Sequence, residues 1–297
     1  MPAVISLEQV EKRYGAVEAL KGVDFEVDAG ELVALLGPNG AGKTTAISIL
    51  LGLRHPTRGK VSLFGLAPST REARSRVGVM LQESGVPTVL KVRELVDLFR
   101  SYYPRPLTTA EAIELAGLEE KADARVSTLS GGQQQRLYFA LAIAGDPDVL
   151  FLDEPTVGLD VEGRRRFLDS IRRFHQGGKT VLLTTHYLEE ADELAQRIVV
   201  IDRGRVIADA SPREIKSRVA GRRVSFTSAQ FAEPVLDGLP VTAVDRREGR
   251  TVVLTNSAED VVRRLLDRVS DLADLEVVGA DLEEAFVALT EHAGAPA

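Results

Sequence analysis

The sequence predicts an α/β protein in which an all-helical segment is inserted into a mainly parallel sheet domain and a small α+β domain follows. Three observations lead to this fold class. Short apolar runs alternate with helical patterns over most of the chain, which is typical of α/β domains. The segment at about residues 87–145 is helical in pattern and has no strand candidate. After Val219 the elements become shorter and more acidic.

Apolar runs rich in Val, Ile and Leu are bounded by charged residues, glycine or proline, as expected of strands buried on both faces of a parallel sheet. They are Leu32–Leu36, Val149–Leu152, Val181–Leu183 and Ile198–Ile201. Helical patterns lie between them, at Lys43–Leu53, Val92–Tyr103, Thr109–Ala116, Gly132–Ala144, Val161–His175 and Leu188–Arg197. We therefore assign residues 1–220 to one domain, with a helical subdomain at about residues 87–145.

Residues 221–297 form a predicted accessory domain. Strand patterns and helix patterns alternate there, at Arg222–Thr227, Val241–Asp245, Thr251–Thr255, Ala258–Val269, Leu275–Val278 and Leu282–Thr290. With a weak helix at Ala229–Asp237, this order would suit a ferredoxin-like domain.

Charge and composition restrict the classes of partner. The chain has 297 residues and a net charge of −7. Residues 1–220 hold 30 acidic and 29 basic side chains, and the remainder holds 14 and 8, so we expect no broad basic surface and no nucleic-acid partner. The absence of cysteine excludes disulfides and thiolate metal sites. No apolar run reaches the roughly 18 to 20 residues that cross a bilayer, so we expect any membrane crossing to belong to another chain.

A phosphate-binding motif, G-x-x-x-x-G-K-[ST], follows the first apolar run and precedes a helical pattern, which is the context it requires. Its residues, called the phosphate loop below, are Gly37, Pro38, Asn39, Gly40, Ala41, Gly42, Lys43, Thr44 and Thr45. Backbone N–H groups of such a loop converge on a phosphate at a helix N-terminus. Lys43 would reach the β- and γ-phosphates, and the Thr44 hydroxyl would ligate Mg²⁺. The alternative is a glycine-rich turn without a nucleotide.

Two adjacent carboxylates end the apolar run Val149–Leu152. Consecutive side chains of a strand point to opposite sides, so the two acids can have different tasks. Asp153 would hold Mg²⁺, and Glu154 could accept a proton from an attacking water. Acids that merely end a strand are the alternative. A third candidate, His186, follows the next strand at the sheet edge where ligands of α/β proteins bind. The alternative, and the more frequent case for a histidine at a strand end, is an ordinary surface or capping group.

A second anion site is predicted at the start of the helix near Gly132–Ala144. Ser130 is a suitable N-cap residue, and the glycines after it leave the helix N-terminus open to a phosphate. An ordinary capped helix is the alternative. Because the chain already has one phosphate site, a partner subunit could present the second one.

Together these motifs resemble the ATPase subunits of ATP-binding cassette (ABC) transporters over most of residues 4–220. The matching features are Tyr14, the phosphate loop, Gln82 in VMLQE, the signature LSGGQ at Leu129–Gln133, FLDEP at Phe151–Pro155, GLD at Gly158–Asp160, and His186. The resemblance implies a P-loop NTPase cassette that forms a head-to-tail dimer. ATP would lie between the phosphate loop of one subunit and the signature residues Ser130, Gly132 and Gln133 of the other.

The same resemblance assigns further roles. It implies that Tyr14 stacks on adenine with Val17 beside the ribose, and that Gln82 contacts Mg²⁺ and the attacking water. It makes Glu154 the catalytic carboxylate and His186 the γ-phosphate contact. Asp160 would communicate across the dimer.

The C-terminal segment Asp281–Thr290 resembles the ending of bacterial multidrug exporter ATPases of the daunorubicin-resistance type. This implies an ATPase subunit that closes on ATP and drives export through separate transmembrane permease subunits, peripheral to the cytoplasmic face of the membrane. A homodimer and a heterodimer both remain open. The alternatives are a soluble ABC-type ATPase that acts as a regulator or remodeler, and a non-hydrolysing scaffold.

Overall fold

The computed structural model describes residues 3–81, 85–217, 221–247, 249–279 and 281–292. The chain divides into two compact units, residues 1–211 and 212–297. This division falls before the predicted boundary at residue 220, because the short helix Pro212–Ser217 groups with the second unit. Among the described residues, no helix has the length and apolar character needed to span a bilayer.

The first unit contains nine of the strands in the described residues, β1 to β9, at Ala3–Tyr14, Val17–Asp28, Leu32–Leu36, Arg58–Leu63, Val77–Met80, Val149–Asp153, Thr180–Thr184, Arg197–Asp202 and Arg205–Ala210. Its described helices α1 to α7 are Lys43–Leu50, Arg71–Arg74, Val92–Arg100, Thr109–Leu115, Gly131–Ile143, Val161–Gln176 and Leu188–Leu194. The predicted helix Leu188–Arg197 is therefore wrong at its end, because Arg197 begins β8 and pairs with Val33 of β3.

A six-stranded sheet with the order β5-β6-β7-β3-β8-β9 is the centre of this unit. Its strands run parallel except for β9, which is antiparallel to β8. Every residue of β3 and β7 is buried, as the continuous apolar runs predict. The carboxyl ends of β3, β6 and β7 therefore meet at one edge, where the phosphate loop leaves β3.

The first unit also contains an antiparallel sheet with the order β2-β1-β4, which the sequence patterns do not predict. Its two longest strands carry charged residues between the apolar ones, and register shifts interrupt their alternation. The apolar positions nevertheless pack in the same core as Ile47 and Leu50 of α1. This sheet thus supports the helix that begins in the phosphate loop.

The predicted helical subdomain is confirmed in the described residues between β5 and β6. They form α3, α4, α5 and two 3-10 turns, at Glu119–Lys121 and Val126–Thr128. The β-type pairing in these described residues is an isolated bridge between Lys91 and Arg125. The signature motif opens α5, so the helical subdomain carries it.

The second unit comprises α8 (Pro212–Ser217), β10 (Arg222–Thr227), β11 (Val241–Arg247), β12 (Arg250–Thr255), α9 (Ala258–Arg268), β13 (Ala273–Val278) and α10 (Leu282–His292). The strands form an antiparallel sheet in the order β11-β12-β10-β13. Its core joins Val224, Phe226 and Val253 to Val261 and Leu265 of α9.

The weak helix predicted at Ala229–Asp237 is wrong in type. The segment contains a single 3-10 turn at Glu233–Leu236, with a proline in its first positions. Just before it, the carboxylate of Asp271 accepts hydrogen bonds from the backbone N–H groups of Ala229 and Gln230. A helix over the whole segment would place Pro234 in its interior, where proline lacks the N–H donor and clashes with the preceding turn.

Candidate nucleotide site

The phosphate loop surrounds the ammonium group of Lys43, the first residue of α1. The Lys43 side chain is 7% exposed. Its Nζ donates hydrogen bonds to the carbonyls of Gly37 at 2.6 Å and Pro38 at 3.2 Å. Burial lowers the pKa of the Lys43 ammonium, while the carboxylates of Glu154 and Asp153 act in the opposite direction. The buried cation is thus hydrogen-bonded to the loop carbonyls and interacts electrostatically with the two acids at and just after the end of β6.

Gly42 shows why the loop needs glycine. It occupies the N-cap position of α1 with φ of +112°, a left-handed conformation that disfavours other residues. A Cβ at this position would lie 2.7 Å from both the Ala19 carbonyl oxygen and Leu20 Cδ2. The cap also brings no side chain of its own to the first turn of α1, so its backbone N–H groups face the space where a phosphate would bind.

Pairing of adjacent parallel strands places Asp153 opposite Thr184. The Thr184 hydroxyl donates a hydrogen bond of 2.5 Å to Asp153 Oδ1, and the backbone N–H of Glu154 donates to the Thr184 carbonyl at 3.1 Å. Glu154 has φ of +50°, which is uncommon for a residue other than glycine and is frequent at functional sites. The backbone therefore turns sharply at the proposed catalytic carboxylate.

His186 lies against Glu154. Its Nε2 is paired with Glu154 Oε1, and the side chain of Glu154 is mostly buried whereas that of His186 is partly exposed. Lys43, Asp153, Glu154 and His186 thus form one group at the carboxyl edge of the sheet, although they come from three strand ends.

Tyr14 and Val17 face each other where β1 turns into β2. Both side chains are exposed, at 42% and 66%, so the Tyr14 ring is accessible for stacking. The ammonium of Lys12 lies 5.1 Å from the centroid of that ring, within cation–π distance.

The signature residues form a capping box at the start of α5. The Ser130 hydroxyl accepts a hydrogen bond from the Gln133 N–H, and Gln133 Oε1 accepts one from the Ser130 N–H at 3.0 Å. Gly132 is close to Leu159, since a Cβ on it would lie 3.3 Å from Leu159 Cδ2. In the part of the chain that is described, these contacts run within the motif and to Leu159, and none of them involves the phosphate loop.

Asp160 is the N-cap residue of α6, and its Oδ1 accepts a hydrogen bond of 2.7 Å from the Gly163 N–H. Among the other predicted site residues, Pro38, Asn39, Gly40 and Thr44 are exposed, Ala41 is buried and Thr45 is intermediate. Gln82 lies outside the described residues.

Comparison with known proteins identifies the family. A family model described as "ABC transporter" matches residues 20–157. The Nod factor export ATP-binding protein I of Burkholderia lata is 46% identical over 296 residues, which cover 97% of each chain. The daunorubicin resistance ATP-binding protein DrrA2 of Streptomyces coeruleorubidus is 39% identical and covers 97% of this chain and 95% of its own. The chain belongs to the ABC transporter ATPases.

Solved ABC cassettes share the fold of this ABC ATPase. A dimeric cassette in a post-hydrolysis state bound to ADP and Pi has 28% identity and a TM-score of 0.62, and the match covers 70% of this chain and 98% of that one. A bacterial Atm1-family ABC exporter with ATP bound has 27% identity and a TM-score of 0.63 over 72% of this chain and 39% of that one. The predicted cassette fold and exporter-type ATPase family are confirmed. As a member of this family, the chain is an ATP-binding and hydrolysing subunit.

Thr184 is a contact of this ABC ATPase site that sequence reasoning missed. It is fully buried and holds both Asp153 and the backbone of Glu154. Its signal in the sequence is weak, because threonine is an ordinary strand residue. The feature that could have indicated Thr184 is a hydroxyl residue at the carboxyl end of the strand that follows the Asp153-Glu154 strand in the chain.

Proposed function

We propose that this ABC ATPase hydrolyses ATP with Glu154 as the general base and drives export through separate transmembrane permease subunits. The observation that carries the assignment of the base is the grouping of Lys43, Asp153, Glu154 and His186 at one sheet edge. Glu154 is paired with His186 and also interacts electrostatically with the buried ammonium of Lys43.

The other parts of the site would have the following tasks. Lys43 exchanges its hydrogen bonds to loop carbonyls for the β- and γ-phosphates, and His186 contacts the γ-phosphate. Tyr14 stacks on the adenine, beside Val17. Ser130, Gly132 and Gln133 of one subunit bind the γ-phosphate held by the other, with Asp160 at the seam. These roles require two subunits to meet around each nucleotide.

Magnesium fits the oxygen donors at this edge. Asp153 presents a carboxylate whose Oδ1 is oriented by Thr184, and Thr44 is exposed on the first turn of α1. Carboxylate and hydroxyl oxygens are suitable ligands for Mg²⁺. We propose that Asp153, Thr44 and Gln82 hold the ion, which would neutralise phosphate charge when bound.

We further propose that the protein binds transmembrane permease subunits, which would keep it at the membrane. Similarity over nearly the whole length to proteins named for Nod factor export and for daunorubicin resistance supports permease partners, and so does the exporter among the solved structures. We place the ABC ATPase peripherally at the cytoplasmic face of the membrane, as a homodimer or as one half of a heterodimer.

The replacement Glu154→Gln tests the role of the base. It keeps the size of the side chain but removes the proton acceptor, so ATP hydrolysis should fall by about 10²-fold or more. ATP should then hold the two subunits together, and a stable ATP-bound dimer should accumulate. Light scattering after size exclusion, with analysis of the retained nucleotide, measures both.

Glu193→Gln is the matched control for this experiment. Glu193 is an exposed acid of α7 whose partner is Arg172, so this variant should hydrolyse ATP at the wild-type rate and, like the wild type, accumulate no stable ATP-bound dimer. If Glu154→Gln hydrolysed ATP as fast as the Glu193→Gln control, Glu154 would not be the general base.

A further inference from the structure

Glu190 has a buried carboxylate that contacts the loops of the proposed catalytic residues, although Glu190 itself has no role in the proposed function. Glu190 is on α7 and is only 2% exposed. Glutamate is almost never fully buried unless it is paired, because removal of its charge from water is costly. The partners of Glu190 therefore indicate what this charge does.

Both oxygens of the carboxylate accept a hydroxyl hydrogen bond. Thr156 Oγ1 donates to Oε1 at 2.6 Å, and Thr185 Oγ1 donates to Oε2 at 2.7 Å. The two threonines are themselves buried. Arg164 Nε lies 3.4 Å from Oε1 and supplies a positive charge. Hydrogen bonds to an ionised acceptor are shorter and stronger than those between neutral groups.

The three partners come from the segments that carry the proposed catalytic groups. Thr156 is two residues after Glu154, and Thr185 immediately precedes His186. Arg164 lies in the first turn of α6, the helix that Asp160 caps. One carboxylate therefore connects the loop after β6, the loop after β7 and the start of α6.

Further contacts hold the loop that carries His186. The Tyr187 N–H donates to Thr185 Oγ1 at 3.0 Å, and the Glu190 N–H donates to the Tyr187 carbonyl at 3.0 Å. The guanidinium of Arg164 lies 3.7 Å from the centroid of the Tyr187 ring. His186 is thus flanked on both sides by residues of the Glu190 network, defined as Glu190, Thr156, Thr185, Arg164 and Tyr187.

We infer that Glu190 is a positioning residue that holds the Glu154 loop and the His186 loop at the distance that hydrolysis requires. This inference rests on the proposed roles of Glu154 and His186. Glu190 touches neither of their side chains in the contacts above and acts through Thr156 and Thr185. Displacement of a reacting group by about 1 Å can lower a rate by about 10²-fold, so a rigid link between the loops has a direct catalytic effect.

The link is best tested at Thr156. Glu190→Ala would strand two buried hydroxyls and an arginine, so it would disrupt the fold itself. Thr156→Val removes one hydroxyl and keeps the shape of the side chain, whereas Thr156→Ser retains the hydroxyl. With the full-length protein, we expect Thr156→Val to lower kcat for ATP by about tenfold to 10²-fold. The KM should stay within about twofold of the wild-type value, because the phosphate loop is unchanged.

Rescue by serine separates positioning from a purely structural role. Thr156→Ser should recover kcat to within about threefold of the wild-type value, since it restores the donor to Glu190. If Thr156→Val unfolds at a lower temperature yet keeps its kcat well below that temperature, the positioning role is overturned.

Amide hydrogen exchange on the full chain without ATP gives a second readout that does not depend on activity. Thr156→Val should accelerate exchange both at residues 153–160 and at residues 184–187, because Glu190 connects them. Ser170→Ala is the control, since this buried hydroxyl donates to the Arg166 carbonyl outside the network and its loss should change neither segment. Acceleration confined to residues 153–160 would overturn the inference.

The two proposals can fail separately. If the wild-type protein hydrolysed no ATP, the proposed function would fail, and the exchange experiment would still decide whether Glu190 connects the two loops. If Glu154→Gln trapped the ATP-bound dimer while Thr156→Val kept full kcat, only the inference about Glu190 would be wrong.

Discussion

Lys43, the proposed phosphate-binding lysine, carries a charge whose burial lowers the stability of the folded protein. Its ammonium is buried, and this burial lowers its pKa. The carbonyls of Gly37 and Pro38 and the acids at the end of β6 offset the cost of removing the charge from water. A lowered pKa means that the charged form is less favourable in the folded protein than in the unfolded chain. The buried charge therefore does not stabilise the fold, which agrees with the proposed role of Lys43 at the phosphates.

We therefore predict that Lys43→Met separates stability from nucleotide binding. Without ATP, the free energy of unfolding should change by no more than about 1 kcal/mol, because the lost hydrogen bonds and the relieved burial of charge oppose each other. The rise in melting temperature on addition of MgATP should disappear. Thermal unfolding with and without MgATP measures both effects.

Lys60→Met is the matched control, since Lys60 is an exposed lysine of β4. This variant should keep the stabilisation by MgATP. A Lys43→Met protein that MgATP still stabilised as strongly as the wild type would contradict the assignment of Lys43 to the phosphates.

At the scale of elements, two helices of the helical subdomain begin with the same device. Thr108 and Glu111 form a capping box at α4, and Ser130 and Gln133 form one at α5. At α4, the hydrogen bond from the Thr108 hydroxyl lowers the pKa of the Glu111 carboxyl. The two helices differ in the residues that follow the N-cap. Two glycines follow Ser130 and leave the N-terminus of α5 open to an anion. The capping box therefore stabilises the start of both helices, and only at α5 does it also leave a site open to a phosphate.

This pair allows a controlled prediction at the level of the helix terminus. Thr108→Ala and Ser130→Ala should each lower the free energy of unfolding by about 1 kcal/mol, because each removes an N-cap acceptor. Only Ser130→Ala should also lower ATP hydrolysis, since only α5 would meet the γ-phosphate of the partner subunit. Chemical denaturation and steady-state ATPase assays on both variants provide the comparison. Equal losses of activity in the two variants would exclude a specific role for Ser130.

At the scale of the whole molecule, the chain consists of two units with separate hydrophobic cores. The residues of the proposed nucleotide site lie in the first unit. The relatives from Burkholderia lata and Streptomyces coeruleorubidus match across both units, because the alignments cover 97% of this chain. The second unit is therefore shared with proteins named for export and drug resistance.

We predict that the full-length protein sediments with membranes only when it is co-expressed with its transmembrane subunits. Its attachment would consist of protein contacts, so alkaline carbonate should release it without detergent. Expression of the same chain without those subunits is the control, and immunoblots of the membrane and supernatant fractions measure the distribution. Equal sedimentation in both cultures would contradict attachment through permease subunits.

Local sequence predicted much of the first unit. The buried parallel strands, the phosphate loop and the helical subdomain each depend on residues that are adjacent or near in the chain, such as Gly37–Thr45. The antiparallel sheet of β1, β2 and β4 was not predicted, because charged residues and bulges obscure its alternation. The helix predicted at Ala229–Asp237 was wrong, because Pro234 would lie in its interior and cannot donate the hydrogen bond that a helix requires there.

The sequence by itself determined which groups could perform the chemistry, because Lys43, Asp153, Glu154 and Ser130 stand in motifs with short, recognisable spacing. Only the tertiary structure decided which groups meet. Parallel pairing of β6 with β7 brings Thr184 to Asp153 and His186 to Glu154 across about thirty residues of sequence. The burial of Glu190 likewise results from the packing of α7 against two loops and α6, and an acid in an amphipathic helix has no local pattern that distinguishes it from a solvated one.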